Sequence, residues 1–96
     1  MQNFKRIEFK KPAEKFLRSR SRKEQIRLLE KIYKLPDGEH VRKMEGYDNR
    51  YRLRVGDYRV LFELSSDLLD TEDGAIATVV MVVLVVDIGN RGDVYK

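Results

Sequence analysis

The chain has no cysteine, one histidine and two prolines among its 96 residues. No disulfide, thiolate metal site or cysteine nucleophile is available to it, a usage that suits a reducing compartment. The opening Met1-Gln-Asn-Phe-Lys-Arg6 lacks the apolar segment of a signal peptide. Long hydrophobic runs are also missing. The most apolar stretch, residues 78–86, falls well short of the about 20 residues that a membrane-spanning helix needs. A soluble, cytoplasmic protein with no membrane contact is expected. With 42% hydrophobic residues and no low-complexity stretch, residues 1–96 read as one globular domain around one core.

The scarce chemical groups exclude more. His40 lies in a glycine-containing connection, with no carboxylate or second histidine at ligand spacing, and is weak evidence for catalysis. Asp67, Asp70, Glu72 and Asp73 lack the regular spacing of a calcium loop and read as a solvated turn. No cofactor or metal is expected.

Basic residues are abundant, and unevenly placed. Residues 1–60 hold 18 Lys/Arg against 9 Asp/Glu, whereas residues 61–96 hold 2 against 7. Such a surplus attracts polyanions, among which nucleic acid is the commonest in a cell, although an acidic protein or an anionic membrane would respond to the same field.

In chain order, Phe4–Phe9 reads as a short strand with Ile7 and Phe9 on one side and Lys5 interrupting that side. Pro12 suits a helical first turn, and Ala13, Phe16 and Leu17 give a short helix its apolar stripe. Ser21 and Glu24 have capping-box spacing, so a second helix is expected from there to about Leu35, with Leu28, Leu29, Ile32, Tyr33 and Leu35 inward. Its remaining positions, Arg22, Lys23, Arg27, Lys31 and Lys34, make a basic, solubilising outer face. Pro36-Asp-Gly stops it, and a loop connection to Asn49 follows. Residues 65–74 read as a polar loop or extended hairpin tip. The nearly continuous Val, Ile, Leu and Met of residues 75–88 describe an interior strand covered on both faces, in part by a partner protein.

The most informative stretch is Arg50–Leu64, two alternating runs around Gly56-Asp57. A glycine-first two-residue loop supplies the positive φ of a II′ or I′ turn. That fixes the register: Val55 faces Tyr58, Arg54 faces Arg59, Leu53 faces Val60, Arg52 faces Leu61, Tyr51 faces Phe62 and Arg50 faces Glu63. One face is apolar. The other carries Arg50, Arg52, Arg54 and Arg59 beside Leu61 and Glu63. Arg54 opposite Arg59 works against the sheet by up to about 1 kcal/mol. An anion held between them removes that repulsion, and the guanidinium fork suits phosphate oxygens.

Tyr51-Arg-Leu-Arg-Val-Gly-Asp-Tyr-Arg59 and Gly89-Asn-Arg-Gly-Asp-Val-Tyr95, in this order within strand, two helices, hairpin and long apolar strand, resemble the RelE/ParE superfamily of type II toxin-antitoxin toxins, over essentially the whole chain. The resemblance implies an α+β fold: two N-terminal helices packed on a curved, largely antiparallel four-stranded sheet. RelE-like members cut messenger RNA in the ribosomal A site, whereas ParE-like members poison DNA gyrase. The RelE pattern falls on Arg52, Arg54, Arg59, Arg91 and Tyr95, which favours that branch and implies a metal-independent endoribonuclease with an antitoxin partner. The alternatives are a gyrase inhibitor and a non-catalytic nucleic-acid-binding domain. By the same resemblance, Arg59 and Arg91 hold the scissile phosphate, Arg52 and Arg54 stabilise charge, and Tyr95 stacks on a base or assists proton transfer. Arg42, Lys43 and Arg50 are expected to add RNA contacts. RelE-type sites often carry lysine where Arg52 and Arg54 stand, and arginine is a poor base. The general base is left open between Asp93, Glu63 and a mechanism that needs none.

Overall fold

The structure, a computed structural model, describes residues 4–69 and 78–90. Among these, the elements are β1 (Phe4–Phe9), α1 (Lys11–Arg18), α2 (Arg22–Ile32), β2 (Val41–Lys43), β3 (Arg50–Val55), β4 (Tyr58–Leu69) and β5 (Thr78–Asn90). The strands form one sheet in the order β1-β5-β4-β3-β2. β1 runs parallel to β5, and the other pairs are antiparallel. The fold is therefore α+β with a mixed, five-stranded sheet rather than the expected four strands. The extra strand is β2, in what reads as a loop.

The hairpin register is as the sequence predicts, from Val55 opposite Tyr58 to Arg50 opposite Glu63. Gly56 has φ 56° while Asp57 is not in the positive-φ region, which selects the II′ alternative. β4 continues beyond the expected hairpin through Ser65, Ser66 and Asp67 to Leu69, paired with Met81, Val80 and their neighbours on β5. The residues read as a polar loop thus begin as strand; residues 70–74 lie outside the described set. Between Leu61 and Phe62 the partner on β5 jumps from Asp87 to Val85, a bulge at Val86. This extra residue lets Val85 and Ile88 both join the core under the helices.

Capping and packing hold the helices on one face of the sheet. Ser21 Oγ accepts the Glu24 N–H at 3.3 Å, the expected cap, and α2 ends at Ile32 rather than near Leu35. Ala13, Leu28, Ile32 and Leu35 bury fully against Leu53, Val55, Val60, Phe62, Val83 and Val85. Burial of a Leu, Ile, Val or Phe side chain contributes about 1.5–3 kcal/mol each, which makes this seam the main stabilising one. Phe16 meets Tyr58 edge-on at 5.7 Å, and Tyr51 stacks on Phe62 at 5.6 Å. Tyr33, expected inward, is 55% exposed, because α2 has ended before it. Lys5 finds its reason here: Nζ donates to the carbonyls of Tyr33 at 2.5 Å and Leu35 at 2.8 Å, satisfying orphan acceptors past the end of α2.

The opposite face of the sheet is held differently. Arg6 on β1 donates to Asp67 on β4 at 3.0 Å and to Glu8 at 2.6 Å. β5 lies between β1 and β4, so this ion pair crosses it, and Val80 and Val82 beneath are 6% exposed each. An apolar residue on that face is thus covered by the stems of charged ones. No helix among the described residues is long and apolar enough to cross a membrane.

Candidate nucleic-acid interface

The arginine face is built by β2, β3 and β4. Side chains directly opposite one another in an antiparallel pair share a face, so the strand register assigns each residue. Arg54 faces Arg59, and on the next strand Gly89 faces Arg59 without a side chain to fill the space. Two residues along, Arg52 is flanked by Leu61 on one side and by Arg42 of β2 on the other. Arg42 opposite Arg52 is a second like-charge pair, which becomes visible only once β2 is recognised as a strand. Two such pairs within one face cost up to about 1 kcal/mol each and are not what stability alone selects.

Around them lies an open depression of about 270 Å³ lined by His40, Arg42, Arg52, Leu53, Arg54 and Arg59. Arg54 and Arg42 are exposed, Arg52 and Arg59 half-buried. His40 directly precedes β2 with φ 67°, and its carbonyl accepts the Arg54 N–H at 3.1 Å, so the backbone there is fixed on the sheet despite its left-handed conformation. A cavity of this size and charge accommodates a phosphate group and the sugar beside it.

The remaining expected site residues divide. Arg50 is on the same face but is engaged: its Nη2 and Nε donate to Glu63 Oε2 at 2.6 and 3.2 Å, and its guanidinium lies 4.6 Å from the Tyr47 ring centre. The hydrogen bonds that Arg50 donates to Glu63 raise the Arg50 pKa above its ordinary value, against a smaller opposing effect of burial. Lys43 does not join them. It is opposite Tyr51, and period-two alternation puts it on the helix-side face, away from Arg42 and Arg52. Arg91, Tyr95 and Asp93 lie outside the described residues. His40, weak evidence for catalysis on the sequence alone, lines the same depression as the arginines. The available signal was its place directly before the alternating Val41-Arg42, two residues after the helix-stopping Pro-Asp-Gly turn.

A larger hollow of about 830 Å³ lies at the far end of the sheet, lined by Phe4, Leu35, Pro36, Leu64, Val79 and Met81 among others. Its one cation, Lys5, is committed to the α2 carbonyls. Size alone would favour it, but convergent positive charge distinguishes the smaller depression.

No family model matches the sequence, and no curated protein matches it. Solved structures do. One chain of the RelB-RelE antitoxin-toxin complex from Methanococcus jannaschii superposes with a TM-score of 0.59 at 22% identity, covering 93% of this chain and 95% of that one. A chain of the intact E. coli RelBE toxin-antitoxin complex gives 0.57 at 21% identity, covering 93% and 96%. At such identities the likeness is one of architecture, and what it establishes is that this chain has the RelE-like fold.

Proposed function

We propose that the protein is the toxin of a toxin-antitoxin pair, an endoribonuclease that cuts messenger RNA in the ribosomal A site and so arrests translation in the cytoplasm. The observation that carries this reading is the pair of facing arginine pairs, Arg54–Arg59 and Arg42–Arg52, around one depression on a RelE-like fold. Support for an antitoxin partner comes from the neighbours, both solved as toxin-antitoxin complexes.

In this reading the RNA's own 2′-hydroxyl attacks the adjacent phosphorus. The step needs in-line geometry and neutralisation of the charge gathered on the phosphorane oxygens. Arg59, with Gly89 leaving room beside it, holds the scissile phosphate together with Arg91 of the C-terminal segment. Arg52 and Arg54 stabilise the developing charge, and Tyr95 stacks on a base or assists proton transfer. Arg42 extends the track for the RNA backbone. Arg50, tied to Glu63, is assigned to orienting the β3–β4 ladder rather than to the RNA.

Expression of the chain without an antitoxin is expected to halt growth with transcripts cut within codons, and co-expression of the antitoxin to restore it. Arg59→Ala is expected to lower cleavage by about 10²–10³-fold, the usual effect of removing one group that stabilises transition-state charge. Arrested cells with intact transcripts would overturn the nuclease reading. Accumulation of cleaved DNA in those cells would identify the gyrase-poison alternative.

A further inference from the structure

We propose that His40 is the general base of the arginine site, a role that rests on the nuclease reading above. Among the described residues lining the depression, Arg42, Arg52, Arg54 and Arg59 carry guanidinium groups, which are poor bases, and Leu53 is apolar, which leaves the imidazole as the one side chain there with the chemistry of a base. Among the described residues, Glu63 and Asp87 on this face are placed elsewhere. Glu63 is bound by Arg50 through two hydrogen bonds. Asp87 is separated from Arg52 by Leu61 in the same cross-strand row, and its Oδ1 accepts the Ile88 N–H at 2.9 Å.

His40 is also held where it stands. Its carbonyl is tied to Arg54, a residue of the charge-stabilising set, so base and guanidinium share one stretch of β-ladder. Glu39 Oε2 lies 3.9 Å from the ring's Nε2, and the four arginines line the same depression. Glu39 is 94% exposed and leaves the ring able to turn toward the depression. In the step, neutral His40 takes the 2′-hydroxyl proton while the 2′ oxygen forms its bond to phosphorus. The bond from phosphorus to the 5′ oxygen breaks, and that oxygen takes a proton from water. The products are a 2′,3′-cyclic phosphate and a 5′-hydroxyl, and the imidazolium returns its proton to solvent.

His40→Asn tests this in the full-length chain on mRNA-programmed ribosomes. Asparagine tolerates the positive φ that His40 adopts, so the start of β2 keeps its backbone while proton transfer is removed. Ribosome binding is expected to be unchanged and single-turnover cleavage to fall by about 10²–10⁴-fold. The pH dependence of the residual rate is expected to differ from that of the wild type. A variant that cuts at the wild-type rate with the wild-type pH profile overturns the assignment, because a merely structural histidine is replaced by asparagine at no cost. So does a loss of cleavage matched by an equal loss of ribosome binding, which would make His40 a binding residue. A wild-type chain that cuts nothing overturns the nuclease reading itself, and this one with it.

Discussion

Gly56 carries two demands at once. Its φ of 56° belongs to the region that L side chains avoid, at about 1–2 kcal/mol. A Cβ there would also stand 2.5 Å from Arg27 Nη2 of α2. The two costs differ in kind, since Arg27 is exposed and its end swings away, whereas the turn has no alternative conformation that keeps the register. Gly56→Ala is therefore expected to destabilise by about 1–2 kcal/mol. Adding Arg27→Ala should recover little of it, measured as a double-mutant cycle by chemical denaturation. The same glycine explains why the hairpin was legible in the sequence: one residue of fixed φ and a strict period of two assign every side chain from Arg50 to Glu63 to its face. His40 shows the opposite case. Its φ is positive without glycine, and Arg54 and Arg59, which line the same depression, are distant in sequence, so the local pattern around it gave its place but not its neighbours.

At the scale of elements, what escaped the sequence was strand whose pattern is set by a partner. β2 has three residues and a single apolar one, Val41, and it exists because Arg50–Leu53 offers it an edge. Ser65, Ser66 and Asp67 look like loop because neither face is covered there, yet β5 supplies their ladder. β1 beside β5 could not be inferred from spacing, since the two lie at opposite ends of the chain. The strap that Arg6 and Asp67 form across β5 has a measurable signature. Hydrogen bonding to Arg6, and then to the Leu68 N–H, lowers the Asp67 pKa below its ordinary value. Its contribution is complete above the ordinary carboxylate range and is lost as the pH falls through the lowered pKa. Asp67→Asn is expected to lower the urea midpoint slightly at pH 7 and to leave a smaller loss between pH 7 and about pH 3, a difference that shrinks in high salt because both partners are about half exposed.

For the molecule as a whole, the basic surplus of residues 1–60 is concentrated where three strands present arginines side by side, while α2 spreads its own basic residues over a solvated face. On the proposed reading, the arginine face is a compromise between holding the sheet together and holding an anion. Arg54→Thr removes one of four charges and keeps a good strand former. Stability is expected to be unchanged or up to about 1 kcal/mol higher, by the relief of the pair with Arg59. RNA affinity should fall at low salt, with the slope of log affinity against log salt shallower by about 1.

The sheet order places β1 against β5, with Phe4 paired to Val80. During synthesis the arginine meander of β2, β3 and β4 is complete while β5 is still being made, so the first strand must wait, unpaired, for almost the last. Closing so long a loop late is entropically slow, and it makes the platform for α1 and α2 the final event of folding. The sheet that carries the arginines is thus joined to its first strand only after the residues of every other described strand have been made.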